Sequence, residues 1–327
     1  MTHPIDQENL AGVLENFPNQ FREALELSED FKVEGPVSEI VVCGMGGSAL
    51  PADVVNIYLQ NEKILKVVRD YDLPDIINDQ TLVITISYSG NTEETVSCLK
   101  QALDKNARIA VITSGGKLAE IAKEKALPLV LVPSGIQPRC ATGYIFTSIV
   151  QLLVNSNLIS DKSDEISSLG DKLKRREYQD LAQAMAGKIK GNVPIIYAAD
   201  QFFNIARICK IKFNEHSKTQ SFFNSLPEMN HNEMIGYTNL VMNPYILILK
   251  SSYDHERTQK RMAIFKKLME DRELPVSEIE MKGENLLEKC FYTLLLGDWI
   301  AYFLALEYEI DPTPVPMVEE FKDLMKK

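Results

Sequence analysis

Short apolar runs and amphipathic stretches alternate along most of this chain, in two series. In the first, runs of strand length fall at Ile40–Cys43, Leu65–Arg69, Leu82–Ser87, Arg108–Thr113 and Leu129–Val132, with helical periodicity near 51–60, 93–104 and Leu118–Lys125. The second begins at Val193. Strand PIIYAA, helix Phe203–Phe213, strand Tyr245–Lys250, helix Glu256–Met269 and strand Ser277–Glu280 lead into a long apolar helix, Leu286–Glu307. Strands followed by helices predict an α/β fold with parallel sheets, right-handed crossovers and ligands at the carboxyl ends of the strands. We expect two domains, 1–154 and 191–327, joined by a polar helical connector at 155–190. The shared rhythm suggests a duplicated pair. Before the first strand, Leu14, Phe17, Phe21 and Leu25 predict an amphipathic helix within 1–35.

The stretch TLVITISYSGNTEET, Thr81–Thr95, is where chemistry first enters. A buried strand ends in Ser87, Tyr88, Ser89, Gly90, Asn91 and Thr92; Glu93 and Glu94 then suit the first turn of a helix that Thr92 can cap. Three hydroxyls and a helix N-terminus aimed at one spot form an anion site, with phosphate the natural guest. An ordinary turn whose serines cap the helix would have the same composition. A second donor-rich turn, Gly44, Gly46, Gly47 and Ser48 after the first strand, makes packing alone a weaker account, although the G-x-G-x-x-G dinucleotide spacing is not met. After the last strand of the series, Arg139 in PSGIQPRCATGY is either a solvated cation or a guanidinium facing developing negative charge.

Composition narrows the partners. The net charge of −11 gives no basic face for nucleic acid or an anionic membrane. No apolar signal segment opens the chain, and no run approaches the roughly 18 apolar residues of a membrane span. Five widely spaced cysteines without C-x-x-C suit reduced thiols in the cytoplasm. Between the helix ending near Phe213 and the strand at Tyr245 we expect a long polar loop, FNEHSKTQSFFNSLPEMNHNEMIGY, that carries function. It holds Glu215, His216, Glu228, His231 and Glu233, but no zinc-type histidine spacing, so neither a metal nor another cofactor is expected.

In order along the chain, GMGGS (44–48), SYSGNTEET (87–95), PRCATG (138–143), NEHSK (214–218) and NHNE (230–233) resemble the bifunctional phosphoglucose/phosphomannose isomerases, built from two sugar isomerase (SIS) domains. The resemblance covers nearly the whole chain. It implies metal-independent interconversion of glucose 6-phosphate or mannose 6-phosphate with fructose 6-phosphate. It also implies that Gly47, Ser48, Ser87, Ser89 and Thr92 hold the phosphate or adjacent sugar atoms, with Arg139 at the reacting end. Glu215 matches the family's base. His231 matches its ring-opening residue, supplied by the neighbouring subunit, so a homodimer with a shared active site is implied. Lys322, in VEEFK, matches a lysine of the same site. Two positions depart from the pattern: Ala49 stands where the family often has Gly, and His216 where it has Asn.

The residue types suit the reaction. Moving a proton between C1 and C2 through an enediolate needs one carboxylate, ring opening needs a group that gives and takes protons near neutrality, and the enediolate oxygen needs a cation. Two alternatives keep the fold: isomerisation of a different phosphosugar, or a non-catalytic phosphosugar-binding module.

Overall fold

The structure, a computed structural model, describes residues 3–60, 62–174 and 177–325. The expected N-terminal helix is broken: α1 (Leu10–Asn16) runs into a 3-10 turn, Phe17–Asn19, and then α2 (Gln20–Leu27). Pro18, which lacks a backbone donor, lies in the break. The chain divides into two units, Glu15–Lys174 and Met1–Leu14 with Arg175–Lys327.

The first unit continues with β1 (Glu39–Cys43), α3 (Leu50–Leu59), β2 (Leu65–Val68), β3 (Thr81–Ser87), α4 (Glu93–Asp104), β4 (Arg108–Thr113), α5 (Gly116–Glu124), β5 (Leu129–Leu131), α6 (Thr142–Asn155) and α7 (Ser163–Leu173). All pairings are parallel, in the order β2-β1-β3-β4-β5, with Val41 opposite Val83 and Val83 opposite Ile109. Every residue of β3 is buried, as a central strand covered on both faces requires. On one face Val41, Val83 and Val111 pack with Leu99 and Ala102 of α4 and Leu118 and Ala122 of α5. Their neighbours Val42, Ile84 and Ile112, which point the other way, are equally buried. α7 joins this unit by burying Ile166, Leu169 and Leu173, with an Arg22–Asp171 ion pair at the surface.

The second unit contains α8 (Glu177–Ile189), β6 (Val193–Ala199), α9 (Phe203–Glu215), β7 (Phe222–Leu226), β8 (Pro244–Lys250), α10 (Glu256–Glu270), β9 (Val276–Glu280), α11 (Leu286–Glu307) and α12 (Pro316–Met325). The stretch expected to connect two domains is therefore divided, α7 lying in one unit and α8 in the other. The chain's first residues belong here because the Asp6 carboxylate caps α1, accepting from Leu10 and Ala11 N–H, and also accepts from the Tyr302 hydroxyl at 3.2 Å. The sheet is parallel, in the order β7-β6-β8-β9. Strand β7 corrects the expected long loop: Phe222–Leu226 pairs with Ile195–Ala199, leaving 3-10 turns at Glu228–His231 and Glu233–Thr238. An edge strand with Phe222 half exposed lacks the apolar run that marks a buried one.

The expectation that no run reaches membrane-span length is also corrected. α11 is long and apolar enough by length and composition, yet 83% of its most apolar stretch is buried. It is apolar on all sides because other elements surround it. Tyr292 meets Tyr178 of α8 with ring centroids 4.9 Å apart, and Gly297 lies against Cys209 of α9.

Candidate active site

In the first unit, the carboxyl ends of β1 and β3 and the segment after β5 converge. Apolar β3 ends at Ser87 and the chain turns through Gly90, whose φ of +71° and whose closeness to the Gly115 carbonyl oxygen both exclude a Cβ. The turn folds the hydroxyls together. Ser87 Oγ lies 2.8 Å from Thr92 Oγ1 and 3.5 Å from Ser89 Oγ, and accepts from Gly90 N–H at 3.1 Å. Thr92 does occupy the N-cap position of α4, but its hydroxyl bonds to Ser87 and does not cap the helix, a correction to the expectation. From the turn after β1, Ser48 Oγ accepts from Tyr88 N–H at 3.0 Å, stitching the two donor-rich turns together.

Gly47 explains the third member. A Cβ there would lie 2.7 Å from the backbone nitrogen of Arg139, so only glycine lets the Pro138–Cys140 turn pack so closely. Arg139 itself is 1% exposed, with Nη1 3.4 Å from Gln137 Oε1. The Tyr88 hydroxyl, its pKa pushed up by burial, donates to Pro133 O at 2.7 Å and holds the loop before that turn. Ser87, Ser89 and Thr92 thus gather their hydroxyls at the N-terminus of α4, Ser48 is tied to that turn through Tyr88 N–H, and Gly47 seats the backbone of the turn that carries Arg139.

The second unit treats its equivalent turn differently. After β8, Ser251 N–H donates to Asp254 Oδ2 at 2.7 Å and Tyr253 N–H to Ser251 Oγ at 3.2 Å. Here a buried carboxylate of the same turn, its pKa raised by that burial, accepts the first backbone N–H after the strand, where the first unit uses the Ser48 hydroxyl. His255 then caps α10, accepting from Arg257 N–H, and faces solvent.

Glu215 is the last residue of α9 and half-buried. The turn around it is anchored by charge: Asp298 Oδ1, on α11, is 2.9 Å from Lys212 Nζ and 2.8 Å from His216 Nε2. All three side chains are buried. Burial alone would raise the Asp298 pKa, but the Lys212 charge and the His216 contact outweigh it and hold the carboxyl below the ordinary carboxylate range. His231 is exposed at the end of its 3-10 turn. Glu233, two residues on, accepts from the Tyr197 hydroxyl and Asn224 Nδ2, while Tyr197 and Tyr237 hydroxyls are 2.7 Å apart. Glu228, at the surface, accepts from Asn232 at 2.6 Å. Lys322 lies on α12, 58% exposed and paired with Glu319. Glu215, His231 and Lys322 thus occupy three separate elements of this unit. Among the described residues, no group of three or more His, Cys, Asp or Glu side chains is placed to hold a metal ion.

Two family models match: the SIS domain over residues 36–155, and the bacterial phospho-glucose isomerase C-terminal SIS domain over 178–325. A bifunctional phosphoglucose/phosphomannose isomerase from Aquifex aeolicus (strain VF5) is 35% identical, the alignment covering 98% of this chain and 99% of that one. The chain belongs to the bifunctional phosphoglucose/phosphomannose isomerase family. A second member, from Caldicellulosiruptor bescii (strain ATCC BAA-1888 / DSM 6725 / KCTC 15123 / Z-1320), is 34% identical over 94% of this chain and 96% of its own. Among solved structures, a tagatose-6-phosphate ketose/aldose isomerase from Escherichia coli superposes with a TM-score of 0.70 at 17% identity, covering 92% of this chain and 93% of that one, a likeness of fold.

Against that family pattern, sequence reasoning missed the residues that hold the others in place. Asp298 had a signal: it is the lone acid in the apolar stretch LLLGDWIAY, and a carboxylate inside a buried helix requires counter-charges. Tyr197 had none, since a tyrosine within PIIYAA looks like any strand residue.

Proposed function

We propose that this chain is an aldose–ketose isomerase that interconverts glucose 6-phosphate or mannose 6-phosphate with fructose 6-phosphate through an enediolate. The observation that carries the reading is the convergence of the Ser87, Ser89 and Thr92 hydroxyls at the N-terminus of α4, on glycine turns a phosphate can approach closely. Gly47 and Ser48 complete that seat. Arg139, carried by the turn packed on Gly47, faces the negative charge that develops on the enediolate oxygen.

Proton transfer falls to Glu215. Its carboxylate takes the proton from C2 of the aldose and returns it to C1, and the reverse for the ketose. C2 becomes planar in the intermediate, so glucose and mannose phosphates pass through the same species and one base serves both. His231 opens the sugar ring, a task suited to an imidazole, which can both give and take a proton, and Lys322 belongs to the same site.

A homodimer in which a second copy contributes His231 is part of the same proposal. Its support is surface: no residue of α12 is buried, and Met317, Phe321 and Leu324 are 82%, 63% and 57% exposed. Five buried thiols support a reducing, cytoplasmic setting.

A coupled assay tests the reading, with glucose 6-phosphate, mannose 6-phosphate and a five-carbon aldose phosphate as parallel arms. Native protein turns over the two hexose phosphates. Glu215→Gln loses on the order of 10²–10⁴ in kcat with KM within several-fold, whereas Ser89→Ala raises KM about ten- to a hundred-fold. Isomerisation by Glu215→Gln at the native rate would remove the base from the scheme; turnover of the pentose phosphate alone would overturn the substrate assignment.

A further inference from the structure

α9 ends in an unusual way. Lys218 adopts the left-handed conformation, φ +53°, where a helix is more easily closed by glycine. Its side chain turns back onto the helix end. Nζ donates to the carbonyl oxygens of Glu215 at 2.8 Å, His216 at 3.1 Å and Pro312 at 3.0 Å. An ammonium has three N–H donors, and here each meets one carbonyl. Two of those acceptors belong to the helix end that bears the carboxylate, as a capping lysine would choose. The third does not. Pro312 is 94 residues away in sequence, in the loop that leads into α12.

We propose that Lys218 is a positioning residue for the proton-transfer base: by gathering the Glu215, His216 and Pro312 carbonyls it fixes the carboxylate-bearing turn against the loop before α12. This rests on Glu215 being the base. Other contacts act within the turn or on its side chains. Ser217 Oγ bonds back to Phe213 O at 2.7 Å and Asn214 Nδ2 to Thr219 O at 2.8 Å, both within the turn itself. Asp298 holds the side chains on either side of Glu215, those of Lys212 and His216, from α11. Lys218 joins the Glu215 backbone to the 312 loop, and a displacement of about 1 Å in a base can cost on the order of a hundredfold in rate.

The experiment is steady-state kinetics with fructose 6-phosphate on native protein, Lys218→Met, Glu215→Gln and the double variant, each checked for a cooperative thermal transition. Lys218→Met should lower kcat about ten- to a hundred-fold while KM stays within about threefold, because the phosphate seat is untouched. In the Glu215→Gln background the same substitution should change nothing further, since a residue acting through the base has no effect once the base is gone. Native kcat in folded Lys218→Met, or effects that add in the double variant, overturns the proposal. Were Lys218→Met recovered unfolded, Lys218→Arg takes its place: a planar guanidinium reaches two of the three carbonyls, so kcat should fall at least about threefold at constant KM, and unchanged kcat overturns the proposal. If Glu215→Gln itself keeps native kcat, the base assignment falls, a result distinguishable from failure of Lys218 alone.

Discussion

Asp298→Ala tests how the Glu215 turn is held. The substitution removes the carboxylate that Lys212 and His216 share at 2.9 and 2.8 Å, and leaves both in the interior. Taking one partner from a buried charge pair costs about 3–5 kcal/mol. A ceiling follows independently, because Lys212 can surrender its proton at pH 7 for about 4.6 kcal/mol, set by an ordinary lysine pKa near 10.4. At about 2–4 °C per kcal/mol for a unit of this size, the midpoint should drop by roughly 10 °C. Thermal unfolding followed by fluorescence of Trp299, the chain's single tryptophan and the residue beside Asp298, reads this directly. The pH dependence is the sharper part. In native protein the Asp298 pKa lies below its unfolded value, so its stabilisation is present above about pH 4 and is lost as pH falls through the folded pKa; the gap to the variant closes there. In the variant the unfolded state binds more protons at Lys212 than the folded one. The variant should therefore regain up to about 1.4 kcal/mol per pH unit between pH 7 and 9. Replacing the trio together, as Lys212→Met/His216→Leu/Asp298→Leu, should stay within about 2 kcal/mol of native. A single-variant gap under about 1 kcal/mol, flat from pH 5 to 9, would refute the view of this trio as a charge-balanced unit.

Two further outcomes are expected. Gly90→Ala forces a side chain into left-handed backbone and against the Gly115 carbonyl, so the hydroxyl turn must shift; KM for fructose 6-phosphate should rise at least about tenfold with the midpoint lowered by a few degrees, and an unchanged KM would disconnect that turn from the substrate. If a second copy supplies His231, mixing the inactive variants Glu215→Gln and His231→Asn under subunit exchange should restore about a quarter of native activity, since half of the dimers then hold one intact site; no recovery would place both residues in one chain's site.

The first unit was legible because its signals are local. Five strands of apolar residues state the sheet, the glycine or hydroxyl turns after Cys43, Ser87, Thr113 and Leu131 state its ligand end, and Ser87–Thr92 announces itself by interrupting an apolar run. The second unit was less so. Phe222–Leu226 mixes Asn and Ser with aromatics because only part of it is covered, and it vanished into an expected loop. With it restored, both sheets share an order in which the second strand flanks the first, followed by the third and fourth, which supports the duplication that the rhythm suggested. Lys212, His216 and Asp298 could not be joined by inspection, since 82 residues separate the ring from its acid and only packing of α9 on α11 brings them together. The membrane-length expectation failed at α11 for a related reason: a helix enclosed by protein has the composition of one enclosed by lipid.

The position of β7 has its own consequence. Among the described strands it is laddered only to β6, through five residue pairs, and the NHNE turn follows shortly after its end. Peeling that ribbon away would leave the β6-β8-β9 ladder whole, so an opening confined to this rim can free the histidine segment without breaking the central pairs. Amide exchange should accordingly be faster along Phe222–Leu226 than along Pro244–Lys250, separating a yielding rim from an unyielding interior.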